Sequence, residues 1–333
     1  PDYLQRLEDT VVELAAQAAA DMRPAVARYA RVPVKLGVNR RQTTASGTVL
    51  GQDPAGPVVP YAHVLAFDGG KGLLATLFSH PCHGVVLGRD NHCISADFAG
   101  AAARLVQQET GAPAAFVNGA CGDVNPRCTG GTFTQVEELG AELAQAVLWG
   151  LAGARPMRAE PVRAVSRRLE LPLCPPPSRL RAEAEKLVLQ LKAELQQVRS
   201  GGGDVWAQRV PQARLEWAEA MLEEVRTGRP RVARQPFEVQ VIRLGDLALA
   251  GMEGEIFARY QLELESGSPL PATVLCGYAN GCIGYVPTAD EYARGGYEVE
   301  EAYKVYPSVR MIAPESDGLI RQAARQLLAE VAA

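Results

Sequence analysis

The 333 residues are 47% hydrophobic and 22% charged, enough apolar material for one large globular core or two smaller ones. A formal net charge of -4 argues against a nucleic-acid-binding surface. No apolar run approaches the roughly 18 residues of a transmembrane segment, and seven cysteines without CxxC spacing argue against a disulfide framework.

A cytoplasmic protein with reduced thiols is therefore expected, in which Cys121 and Cys128, close enough in sequence to pair, are read as free. Leu4, Leu7, Val11, Leu14 and Ala18 stand at helical spacing and predict a helix at the start of the chain. "RVPVKLGVNRRQ" predicts a short strand and a polar turn. "AHVLAF" and "GLLATLFS" flank "DGGKG" and predict a hairpin. The second run is apolar throughout, as in a strand buried on both faces, and ends at His80. Ser95 or Asp97 is placed to cap a helix reaching about Glu109, which Gly111 stops. "APAAFVN" predicts a buried strand entering the tight loop "GACGDVNPR", and a helix is predicted from about Thr134 to Trp149.

Over residues 175–235 the composition becomes charged and helical. Ala184, Leu187, Leu191, Leu195 and Val198 form one stripe, and Leu215, Ala218, Leu222 and Val225 form another beyond "GGGD", which together predict an αα-hairpin. "FEVQVIRL" and "LALAGM" then flank "GD" as a β-hairpin. "ATVLCGYANG" is a strand, a tyrosine-rich loop covers 281–306, and "GLIRQAARQLLAEV" is a closing helix. This order predicts an α/β fold, a layered mixed β-sheet core with flanking helices and an inserted αα-hairpin. The core is expected in two parts, 1–174 and 236–333, with the insertion at 175–235.

Polar residues collect where apolar strands end. His80 follows "LLATLFS", with His83 three residues on. Asn118 to Asn125, including Asp123, follow "AAFV". Glu253 and Glu255 follow "LALAGM", and Tyr278, Asn280 and Tyr285 follow "TVLC". Ligand sites in open α/β sheets gather at such ends, and His and Glu are zinc-ligand types. Each residue also has an ordinary reading. His80 is equally a core histidine bonded to backbone, Glu255 a carboxylate at a helix N-terminus, Tyr285 a core tyrosine, and "GDVNP" a turn. Residue by residue, the reading stops at an α/β enzyme with metal dependence open.

Five stretches taken together go further. "GVNRR", "FSHPCHG…NHCISADFAGAA", "NGACGDVNP", "GMEGEIF" and "YANGCIGYVPTADEYARGGYE" run in order from Gly37 to Glu298. They resemble loops of the neutral/alkaline (non-lysosomal) ceramidase family and its bacterial branch. The resemblance implies zinc-dependent cleavage of an amide between a fatty acyl group and an amine. It implies His80, Glu255 and Tyr285 as zinc ligands, Tyr297 as a donor to the oxyanion, and Arg40 as a group that polarises the carbonyl or holds the substrate. His83 matches no ligand position and is expected, with Asp97, Asp123 and Asn280, around the pocket.

Three departures modify the expectation. The family's "HTHSG"-like segment, with a further ligand histidine and a proton-transfer histidine, has no counterpart here, so an upstream segment or a second chain is expected to supply it. Asn125 stands where the family has the serine of "GDVSP". Asparagine is no oxygen nucleophile, so attack by water is expected, with Asn125 donating to the carbonyl oxygen. The family's immunoglobulin-like domain has no counterpart either, and a small soluble N-acyl or peptide-like amide is the expected substrate. Two rivals are acyl transfer to an amine in place of water and a metal-free subunit that binds a partner chain.

Overall fold

The strand Gly72–Ser79 is apolar on both faces because it is covered on both. In the computed structural model, which describes residues 2–175, 178–202, 205–306 and 310–333, it lies in a five-stranded sheet. The strand order is Ala114–Val117, Gly72–Ser79, Tyr61–Gly69, Val26–Pro33, Arg155–Pro156. Tyr61–Gly69 and Gly72–Ser79 pair antiparallel as the expected hairpin, and Ala114–Val117 adds in parallel. A second sheet runs in the order Ala272–Cys276, Leu247–Met252, Gln235–Leu244, Val162–Leu171.

Period-two alternation sorts the side chains between layers. On Tyr61–Gly69, Val64 and Ala66 pack with the helices Asp97–Thr110 and Phe133–Gly153, while Leu65 and Phe67 turn to the second sheet. On Leu247–Met252, Leu247 and Leu249 meet Leu65, while Ala248, Ala250 and Met252 pack with the closing helix Ser316–Ala332. The layers therefore run helices, sheet, sheet, helix. This is the expected α/β core, and each large apolar side chain buried in it contributes about 1.5–3 kcal/mol.

Local signals set the helix ends. Thr132 and Gln135 form a capping box at the start of Phe133–Gly153, longer than predicted at its C-terminal end. Gly111 ends Asp97–Thr110 in the left-handed conformation (φ 69°). The N-cap of that helix is Ala96 rather than Ser95 or Asp97. Ser95 Oγ instead accepts from Asp97 N, and Asp97 Oδ1 from Phe98 N. The first helix, Asp2–Ala20, forms as its periodicity predicts, but Leu4, Leu7, Val11 and Leu14 are all exposed.

A second prediction is corrected. "GVNRRQ" is not a polar turn but most of the strand Gly37–Thr44, which pairs with Gly47–Asp53 and Val124–Pro126. Its burial comes through ion pairs, since Arg40 and Arg41 are both buried and matched by carboxylates. The helices Ser178–Ser200 and Val205–Thr227 pack through Leu191, Leu195, Leu215 and Met221. The Trp217 ring stands edge-on to Tyr303, so this pair rests against the tyrosine-rich loop. All seven cysteines are free thiols. Among the described residues no helix is long and apolar enough to cross a membrane.

Candidate active site

Two short strands bring the carboxylate and a phenol together. Glu255–Ile256 pairs in parallel with Tyr285–Val286, placing Glu255 opposite Tyr285. The "GACGDVNP" loop closes on the same strand end through Gly122 N, which donates to the Ile256 carbonyl at 2.8 Å. A Cβ on Gly122 would lie 2.3 Å from the Glu255 carbonyl oxygen, so only glycine fits there. The next turn of that loop holds His83, whose backbone N and Nδ1 both lie 3.0 Å from the Val124 carbonyl.

That contact decides the chemistry of the ring. A carbonyl only accepts, so Nδ1 carries a hydrogen and Nε2 points away from it. His83 Nε2 lies 2.7 Å from Glu255 Oε2. Nε2 therefore faces the carboxylate, and a metal ion would lie between the two. Tyr278 donates to Glu255 Oε2 at 3.2 Å, and Tyr306 donates to Oε1. Burial pushes the Glu255 carboxyl up, but the hydrogen bonds from His83 and Tyr306 outweigh it and hold the group below its ordinary value. Burial raises the Tyr285 phenol far above the usual range, with Arg40 opposing and Glu255 reinforcing.

Arg40 forms the opposite wall. Its guanidinium carbon lies 5.0 Å from the Tyr285 ring centroid and 5.9 Å from that of Tyr297. Nε donates to Glu298 at 2.7 Å and Nη1 to Asn125 Oδ1 at 3.1 Å, while Nη2 is buried with no partner among the described residues. Because arginine only donates, it fixes the Asn125 amide with its oxygen inward and leaves its NH2 to donate elsewhere. Tyr297, at the start of the short helix Tyr297–Glu300, packs its ring 5.9 Å from that of Tyr285.

The structure thus brings together Arg40, Asn125, His83, Glu255, Tyr285 and Tyr297. It does not bring His80 to Glu255. His80 is buried, with Nδ1 donating to the Tyr61 carbonyl at 3.0 Å and Nε2 without a partner among the described residues. The chain turns after Ser79 so that the second histidine of "HPCH", and not the first, meets the carboxylate. Asp97 Oδ2 accepts from Leu87 N at 3.4 Å and anchors the loop after His83. Asp123 accepts from Asn39 and from Ala258 N, tying the Arg40 strand to the helix that follows Glu255. Asn280 is exposed in a left-handed turn (φ 65°).

Sequence reasoning missed Tyr306, Arg41, Glu291 and Glu298. The last three hold Arg40 in one buried network, and Glu298 follows Tyr297 in the same short helix. Arg41 Nε donates to Glu291 at 2.8 Å, and its Nη1 donates to the Glu298 oxygen not used by Arg40. The only signal was a second arginine beside Arg40 and acids flanking "GGY". An open cleft of about 890 Å3 lies elsewhere, between residues 89–94 and the helical pair, and contains none of these groups.

Among the described residues no group of three or more His, Cys, Asp and Glu side chains is placed to hold a metal. The donors present are one imidazole nitrogen, one carboxylate and neighbouring phenols. That chemistry suits a zinc-type ion as a partial set, with the Nδ1–carbonyl bond that commonly orients a ligand histidine already made.

No protein-family model and no curated protein matches the chain. Solved structures do. The neutral ceramidase from Pseudomonas aeruginosa superposes with a TM-score of 0.67 at 17% identity, over 97% of this chain and 55% of that one. A ceramidase complexed with C2 gives 0.66 at 17% identity, over 95% and 55%. The chain therefore shares a ceramidase-like fold and spans about half the length of these structures.

Proposed function

We propose that the chain is a zinc-dependent amide hydrolase that cleaves a small linear N-acyl or peptide-like amide by water attack. The observation that carries this reading is the approach of His83 Nε2 to Glu255 Oε2 at 2.7 Å, beside Tyr285. The ceramidase-like fold supports it.

His83, Glu255 and Tyr285 would hold the ion, so His83 takes the place that the resemblance gave to His80. An upstream segment or a second chain supplies the family's further histidine. Zinc, when bound, supplies polarisation of the substrate carbonyl and activation of water. The Val124 carbonyl and Tyr306 orient His83 and Glu255 toward it. Arg40 Nη2, buried beside Tyr285, donates to the oxygen that gains charge as the carbonyl is attacked. The Asn125 NH2 and the Tyr297 hydroxyl donate to the same oxygen. The fixed geometry of these donors favours the tetrahedral species over the planar amide. Seven free thiols suit a reducing, cytoplasmic setting.

The test is elemental analysis of the purified protein, followed by assay of amine release from a panel of N-acyl amines with and without a chelator. Bound zinc and chelator-sensitive amine release are expected. A protein that neither contains nor takes up zinc, and releases no amine, defeats the reading.

A further inference from the structure

We propose that Tyr278 is a further donor to the cation of this site, beside His83 and Glu255. The inference rests on the metal reading above and deepens it.

Geometry carries it. The Tyr278 hydroxyl lies 3.2 Å from Glu255 Oε2 and 3.5 Å from His83 Nε2, and those two atoms are 2.7 Å apart. Donor atoms around a tetrahedral ion with bonds of about 2.0–2.1 Å stand roughly 3.3–3.4 Å from one another. The three atoms therefore already outline one face of such a tetrahedron. Its contracted edge is the hydrogen-bonded His83–Glu255 pair, the edge that widens when an ion lies between the two.

The backbone supports the placement independently. Tyr278 has φ 56°, a left-handed conformation unfavourable for a residue with a large side chain. Three hydrogen bonds impose it: Gly277 N to the Asn118 carbonyl, Tyr278 N to the Gly254 carbonyl, and Ala279 N to the Met252 carbonyl, at 3.1, 3.0 and 3.0 Å. These bonds pin the turn to the strand end that carries Glu255 and to the loop after Ala114–Val117. Cys121 Sγ, 3.4 Å from the phenol oxygen, holds it from another direction. A packing role alone calls for no hydroxyl at the meeting point of His83 and Glu255.

The experiment titrates the purified chain with Co2+ alone and records both its affinity and its visible absorption, which reports the number and type of donors. Wild type is compared with Tyr278→Phe, Tyr285→Phe and His83→Ala. Tyr278→Phe is expected to keep the far-ultraviolet circular dichroism of the wild type, to weaken Co2+ by about tenfold or more, and to change the cobalt spectrum. An unchanged spectrum and affinity in Tyr278→Phe, with both altered in His83→Ala, overturns the proposal while leaving the metal reading intact. A folded wild-type protein that binds no Co2+ and no Zn2+ overturns the metal reading, and this proposal with it.

Discussion

Arg40 and Glu298, 258 positions apart in the chain, form a buried ion pair with Arg40 Nε 2.7 Å from Glu298 Oε1. The other Glu298 oxygen takes Arg41, which also meets Glu291. The strand that carries Arg40 and the short helix that carries Tyr297 are thereby one mechanical unit. Taking charges out of water is costly, and removing one partner leaves the other buried and unmatched. Glu298→Ala is expected to destabilise the fold by about 3–5 kcal/mol, read by urea denaturation. A loss below about 1 kcal/mol, the value typical of a surface pair, contradicts this account.

The two histidines of "HPCH" separate by metal content. His83→Ala is expected to purify without zinc, whereas His80→Ala retains it, because only His83 reaches Glu255. Elemental analysis of the two variants decides. Zinc lost from His80→Ala and kept by His83→Ala restores the ligand order that the family resemblance implied.

Tyr297 is expected to act on rate and not on structure. The residue is 38% exposed and its ring packs edge-on to Tyr285, a contact that phenylalanine keeps. Tyr297→Phe should keep zinc and melting temperature and lower kcat by about 10²-fold or more. Full activity in this variant removes Tyr297 from the oxyanion site.

Gly122 tests how closely the loop must approach the carboxylate strand. An added methyl would sit 2.3 Å from the Glu255 carbonyl oxygen, against backbone that cannot rotate aside. Gly122→Ala is expected to cost about 1–3 kcal/mol and to displace Glu255, visible as a lowered melting temperature together with weaker zinc binding.

His80 gives a pH signature. Burial lowers its pKa from 6.5 to about 4, opposed by its bond to the Tyr61 carbonyl. The unfolded chain therefore takes up this proton first as pH falls. The contribution of His80 to stability is complete above about pH 6.5 and is lost as pH falls toward about 4, by about 3 kcal/mol in all. Asp123 works in the opposite sense, since burial raises it to about 6 and the folded state then takes up its proton first. Wild type minus His80→Gln isolates the histidine. Denaturation between pH 6.5 and 4 should show the wild type losing more stability than the variant, and equal losses refute the assignment.

Much of the frame is legible from the sequence because burial leaves a periodic trace. "GLLATLFS" reads as a covered strand, and the hairpin Tyr61–Ser79 reads from two apolar runs around a glycine turn. The helix Phe133–Gly153 reads from about Thr134 to Trp149, short of its last turn. The strand Gly37–Thr44 is illegible because its burial is charged, and its partners lie some 250 residues away. Glu291 and Glu298 look like solvated loop acids until the fold sets them against Arg41. The choice between His80 and His83 depends on a bond from His83 N to the Val124 carbonyl, which no local pattern encodes. Tyr306 resembles any loop aromatic, and only the fold brings it to Glu255.

The distances along the chain between site partners bear on how the protein is made. His83 waits for Glu255, 172 positions later, and Glu255 waits for Tyr306, 51 positions after that. A ribosome translating this message therefore releases the Arg40 strand and the His83 loop long before their carboxylates exist. Until Glu291 and Glu298 emerge, Arg40 and Arg41 are bare cations on an unfinished surface. Nascent chains thus lack half of the proposed site until the segment around 285–306 is out, and any pause upstream of it prolongs that state.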